Sequence, residues 1–128
     1  MGYHVSSMIG IHTGGEFREN TDMPDFIKCV CKVAKEMKDT DSPVGFNPED
    51  LTHCISKNLT ADKGSFVVIA GVFNFWTYES VSKFARRLSK EFGTEVMVMT
   101  WDVEIDEVQC NIFLDGKRLF KVQKNYKN

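Results

Sequence analysis

EVMVMTWDVEIDEVQCNIFLDGKRLFKV, residues 95–122, decides the fold. Apolar residues alternate through it and two turn signals interrupt it, so it reads as three antiparallel strands. Asp115–Gly116 is a strong two-residue hairpin signal, because both residue types accept the positive φ of a type I′ turn. Asp106–Glu107 is a weaker turn between Ile105 and Val108. With two-residue loops at both places, Ile105 faces Val108, Val103 faces Cys110, Trp101 faces Ile112 and Met99 faces Leu114. Across the second turn Ile112 faces Leu119. One face then collects Met97, Met99, Trp101, Val103, Ile105, Val108, Cys110, Ile112, Leu114 and Leu119. Both turns agree on this apolar set, and a one-residue slip would scatter it. It is the face expected to receive the helices.

The opposite face carries Val96, Val98, Thr100, Asp102, Glu104, Gln109, Asn111, Phe113, Arg118, Phe120 and Val122. It is acidic towards Asp106 and basic towards Lys117 and beyond. Phe113 and Phe120 stand among the polar groups. Aromatic side chains inside a charged rim are the composition of a protein-binding patch. Thr100, Asp102, Glu104, Gln109, Asn111, Phe113, Arg118 and Phe120 are therefore the expected partner-binding residues. The plainer reading is a half-solvated sheet face whose two rings are covered by a helix or by the tail.

Working outward, Tyr3–His12 alternates as a first strand, with Tyr3, Val5, Ile9 and Ile11 on one face. Residues 13–20 are polar and glycine-containing, hence a loop. Thr21 or Asp22 caps a helix with Pro24 in its first turn, and Phe26, Ile27, Val30, Val33, Ala34 and Met37 recur at helical spacing. After a linker at 39–46, Asn47–Pro48 opens a shorter helix with Leu51, Cys54, Ile55 and Leu59 as its stripe. A turn at 61–64 leads into Phe66–Phe73, an apolar run that reads as a central strand. Thr77 caps a third helix, with Val81, Phe84, Ala85, Leu88 and Phe92 inside and Gly93 as its stop. Strand, helix, strand in that order implies a parallel crossover. The sum is an α+β fold, β-α-α-β-α-β-β-β, with a mixed sheet of about five strands ending in an antiparallel meander and helices packed on the sheet. Residues 124–128 read as a frayed tail.

The 128 residues fit one domain. The 42% hydrophobic and 27% charged fractions are those of a globular protein. A net charge of −2 argues against an overall electrostatic nucleic-acid binder. No apolar run reaches the roughly 18 residues of a membrane span, and no export signal is visible. Four cysteines without an export signal suit a reducing cytoplasm.

Catalytic chemistry finds little support. Cys29 and Cys31 point about 200° apart around a helix, so one metal or one disulfide would not use both. Cys54 and Cys110 sit on apolar faces, and no paired-ligand spacing suggests zinc. His4 and His12 lie too far apart along one strand to share an ion. His12 followed by Gly14, Gly15 and Glu16 is the one loop able to present backbone N–H groups to an anion, but it lacks the spacing and lysine of a phosphate loop. No serine sits in a glycine elbow. Asp102 and Glu104 would be neighbours on an exposed strand, with nothing to separate their roles.

These readings point to a non-enzymatic protein-binding domain that masks a partner, in the manner of a toxin-neutralising immunity protein or a phage-encoded inhibitor. Another protein is the expected partner; no metal, cofactor or membrane is called for. The alternatives are a small-ligand site or enzyme at the His12–Glu16 loop, and nucleic-acid binding through Lys28, Lys32, Lys35, Arg86, Arg87 and Lys90.

Overall fold

The computed structural model describes residues 5–13, 19–41, 55–61, 64–70, 78–103 and 106–125. In chain order the elements are β1 (Val5–His12), α1 (Glu19–Asp41), β2 (Ile55–Ala61), β3 (Gly64–Ala70), α2 (Tyr78–Phe92), β4 (Glu95–Asp102), β5 (Glu107–Leu114) and β6 (Lys117–Asn125). The class is α+β, with helices packed on the sheet. The strands form one six-stranded sheet in the order β2-β3-β1-β4-β5-β6.

Every neighbouring pair is antiparallel, so the sheet is not mixed. The crossover expected through α2 keeps its direction but not its adjacency. β3 and β4 both pair antiparallel with β1, so they run the same way with β1 between them. By the same logic β1 and β2 run together with β3 between. Two interlocked, strand-skipping crossovers make the split β-α-β arrangement of ferredoxin-like topology, here lengthened by the β5–β6 hairpin.

The core explains why both helices share one side. Ile9 and Ile11 on β1 meet Ile69 and Val67 on β3 and Val98 and Val96 on β4. All six are buried in one cluster with Phe26, Val30, Val33, Ala34 and Met37 of α1 and Val81, Phe84, Ala85 and Leu88 of α2. β-Branched residues on three adjacent strands give a stiff aliphatic floor, and the apolar stripes of both helices close on it. The helices are tied to each other by stacking of Phe26 on Phe92 at 5.0 Å, by Lys32–Glu91 at 3.0 Å and by Arg87–Glu36.

That floor reverses the expected orientation of the C-terminal ribbon. Val96, Val98, Thr100, Asn111 and Phe113 face the helices and are buried, whereas Met97, Met99, Trp101, Cys110 and Ile112 face away. Strand parity tells which residues share a face. Which face the helices cover is decided by β3, β1 and β4 together, and the side bearing Val96 and Val98 is the one where Ile9, Ile11, Val67 and Ile69 join them.

Three further expectations change. The β4–β5 connection is wider than two residues. Asp102 pairs Glu107, Trp101 pairs Val108, Met99 pairs Cys110 and Met97 pairs Ile112. The register moved by an even number of residues, so the grouping by face survived. Asp106 takes a positive φ of 52° in this loop, and Glu104 and Ile105 lie outside the described residues. The second hairpin turns as expected, with Asp115 at φ 50° and Gly116 at φ 80°. A bulge follows: Phe113 pairs Arg118, but Ile112 pairs Phe120, leaving Leu119 unmatched. Phe113 and Phe120 therefore point to opposite faces. β6 continues to Asn125, so residues 124 and 125 belong to a strand rather than a tail.

Ile55–Leu59, expected on a helix, is strand β2 against β3. A short apolar run fits either period, and here pairing with β3 won. The remainder of that expected helix, 47–54, lies outside the described residues, as do 71–73 at the end of the expected central strand. α1 starts at Glu19, ahead of the expected cap, and carries Pro24 within it.

Candidate docking face

With both helices on one side, the described helices leave the other face of the sheet uncovered. β5 presents Val108, Cys110, Ile112 and Leu114 there, and β4 presents Met97, Met99 and Trp101. β1 and β3 add Met8, His12, Phe66 and Val68, all half-buried. Gly10 matters at this point: a side chain there would meet Phe66 Cδ1 at 3.5 Å and Met97 Cε at 3.7 Å. Both are ordinary van der Waals distances, so Phe66 and Met97 lie close over β1 at this point. His12 meets Phe66 edge-on at 4.9 Å.

Exposure rises towards β6. Trp101 is 48% exposed, Phe120 50%, Val122 45% and Leu119 56%. The bulge is what turns Phe120 onto this face, opposite Ile112, and Val122 follows opposite Cys110. The indole is not loose. Trp101 Nε1 donates to Asp106 Oδ1 at 3.2 Å, so the positive-φ loop residue fixes the ring.

The hairpin that carries β6 is pinned from behind. Ser89, fully buried on α2, donates from Oγ to the Arg86 carbonyl at 2.6 Å and accepts the Gly116 N–H at 2.9 Å. One hydroxyl thus fastens the turn to the helix. Beside it, Lys83, Arg86, Arg118 and Lys121 gather round a groove of about 210 Å³ between α2 and β5–β6, with Glu79 and Ser82 at its rim and Asn111 and Phe113 at its base. The Arg86 guanidinium carbon stands 5.5 Å over the Phe113 ring, a cation–π contact that holds it at the groove.

The residues expected to bind a partner are thereby separated. Thr100, Asn111 and Phe113 are 4%, 1% and 3% exposed on the helix side, so none of them forms an open docking surface, and Asn111 and Phe113 are reached only at the base of the groove. Asp102 and Gln109 lie on the same helix-facing side, half-buried, and Gln109 Nε2 donates to Glu107 Oε1 at 2.8 Å. Arg118 and Phe120 are exposed but on opposite sides of β6. Glu104 lies outside the described residues. Trp101, Leu119 and Val122 were not singled out, although the alternation already put Trp101 with the apolar set. The bulge that frees Phe120 has no signal in the sequence.

Of the expected ligand loop, only His12 is described; Gly14, Gly15 and Glu16 lie outside. A cleft of about 310 Å³ opens beside His12 and Thr13, edged by Asp22 and Asp25 and floored by Phe26 and Phe92. No group of three or more His, Cys, Asp or Glu side chains converges among the described residues. Cys29, Cys31 and Cys110 are free, half-buried thiols. Burial pushes each thiol pKa up, and at Cys29 Glu91 adds to the effect, so none of the three is an activated thiolate. The basic helix faces do lie on one side of the sheet, but Lys32 and Arg87 are neutralised by Glu91 and Glu36. No described helix is long and apolar enough to cross a membrane. Comparison with known proteins finds no matching family model, no matching curated protein and no matching solved structure.

Proposed function

We propose that this chain is a non-enzymatic protein-binding domain that acts by covering a partner, docking through the open face of its sheet around Trp101, Phe120 and Val122. One observation supports the reading: the described helices cover the more polar side of the β4–β6 ribbon, and on its apolar side Trp101, Phe120 and Val122 are about half exposed. Large exposed rings on rigid strands, one of them held by a hydrogen bond, are the features of binding hot spots. A contiguous apolar patch of this kind marks an interaction site more often than a bare surface.

The rim indicates the partner's chemistry. β6 carries Lys117, Arg118, Lys121 and Lys124 and no carboxylate. A second copy laid over this patch would bring two such rims together, which repels. A partner whose apolar surface is edged with acidic groups fits instead. Toxin-neutralising immunity proteins and phage-encoded inhibitors work by such masking, and free, half-buried thiols suit the reducing cytoplasm where they act.

Capture from the source cell tests this, using the wild type alongside Trp101→Glu. The expected result is a protein retained by the wild type and lost by the variant, with both melting at the same temperature. Capture that survives Trp101→Glu, or a concentration-dependent dimer that the variant abolishes, overturns the reading.

A further inference from the structure

We infer that β6 is a strand-addition edge, and that it takes an extended segment of the partner in which acidic and apolar side chains alternate. This rests on the protein-binding reading above and specifies how the partner is held.

β6 is the last strand of the sheet and all nine of its residues are exposed. Every second residue of an edge strand directs its N–H and C=O away from the sheet, so β6, last among the described strands, can extend the ladder. Its two sides differ in chemistry. Arg118 pairs Phe113 and Lys121 pairs Asn111, which puts both cations on the helix side, beside the groove that Lys83 and Arg86 also line. Phe120 and Val122 stand on the open side, flanked there by Lys117 opposite Leu114 and Lys124 opposite Val108. A strand laid against β6 would therefore point alternate residues into a cationic groove and onto an apolar shelf. Acidic residues suit the first and aliphatic or aromatic residues the second.

Lysines on an edge strand also block pairing, and that is the plainer account of them. The groove separates the two accounts. Blocking needs cations only on the edge itself, whereas here α2 contributes Arg86 and Lys83 from across the groove, with Arg86 held against Phe113. Arg118 and Lys121 form no ion pair among the described residues. Glu79 is the one carboxylate lining the groove. Self-pairing of β6 would set like charges against each other, so the arrangement rejects a second copy while accepting an acidic strand.

The test uses the full chain and three end-blocked, fluorescently labelled nonapeptides: alternating Glu and Val, alternating Lys and Val, and the Glu–Val peptide N-methylated throughout. The Glu–Val peptide is expected to bind at least ten-fold more tightly than the Lys–Val peptide. N-Methylation, which removes the donors while keeping the charge, is expected to abolish binding. Amide exchange of β6 should slow in the complex. Arg118→Glu with Lys121→Glu should weaken the Glu–Val peptide at least ten-fold at unchanged melting temperature, and Trp101→Glu should leave it unaffected. Failure of the Glu–Val peptide to bind at millimolar concentration overturns the proposal. So does equal binding of the N-methylated peptide, which would mean charge attraction without strand pairing. If the peptide fails while Trp101→Glu still abolishes capture of the cellular partner, strand addition falls and docking through the open face stands.

Discussion

The two faces of this sheet differ in a way opposite to simple expectation. On β5 the covered face is mixed, with Gln109 and Asn111 beside Phe113, while the open face is apolar from Val108 to Leu114. On β1 and β4 the covered face is aliphatic, with Ile9, Ile11, Val96 and Val98 fully or almost fully buried. The helices settle where three neighbouring strands agree, over β3, β1 and β4. The β5–β6 ribbon extends past them and takes the orientation it is given. Its apolar side is then left without a covering helix among the described residues, an arrangement that suits a partner surface.

The sharpest way to break this contrast is to shorten the two phenylalanines in turn. Phe113 lies under Arg86 in the closed layer, and Phe113→Ala should destabilise the fold by about 3–5 kcal/mol in chemical denaturation. Phe120 is half-exposed on the open face, and Phe120→Ala should change stability by less than about 1 kcal/mol. Equal losses at both positions would mean that both rings are sealed, and the distinction between the faces would fail. Similar small effects at both would show that α2 does not press on β5.

A second test asks whether the ribbon is held as one body with the helices. Ser89→Ala leaves the Gly116 N–H without its partner in a partly buried setting, and should cost about 1 kcal/mol. The loss should be accompanied by faster amide exchange along β6, since this hydroxyl anchors the turn from which β6 leaves. A loss confined to global stability, with β6 exchange unchanged, would show the hairpin to be self-sufficient.

Much of this was legible in residues 95–122 because strand parity and hairpin turns are local. Asp115–Gly116 fixed its turn through the φ that each residue accepts, and the grouping of Met97, Met99 and Trp101 survived a wrong loop length because the slip was even. Three things were not local. The side chosen by the helices depended on Ile9, Ile11, Val67 and Ile69, which lie far away in sequence. The bulge at Leu119 leaves no mark in composition, and it alone separates Phe120 from Phe113. Ile55–Leu59 satisfied a helical stripe as well as a strand, and only pairing with β3 decided it. The candidate site inherited these errors. Arg118 and Phe120 are exposed, whereas Thr100, Asn111 and Phe113 keep the face the alternation gave them, and that face is the one the helices cover.

The smallest effect separates the two regions by titration. Cys29 and Cys31 sit on α1, and Cys110 sits on the open face. Burial raises all three thiols above their ordinary value of 9.0. A raised thiol pKa means that the folded chain prefers the neutral form. The unfolded chain loses its protons first, so this contribution is complete below pH 9 and shrinks as pH climbs through the folded values. Lys32 acts in the same direction: its bond to Glu91 raises its pKa above 10.5, and that stabilisation too is lost on further alkalinisation. Stability in a Cys54→Ser background should therefore hold level from pH 7 to 8.5 and decline beyond it. Cys110→Ser should remove part of the decline in the free protein. If a partner covers the open face as proposed, alkylation of Cys110 by iodoacetamide at pH 8.5 should slow several-fold in the complex, while Cys29 and Cys31 keep their rates. Equal slowing at all three would show that the partner stabilises the whole chain without resting on the β4–β6 face.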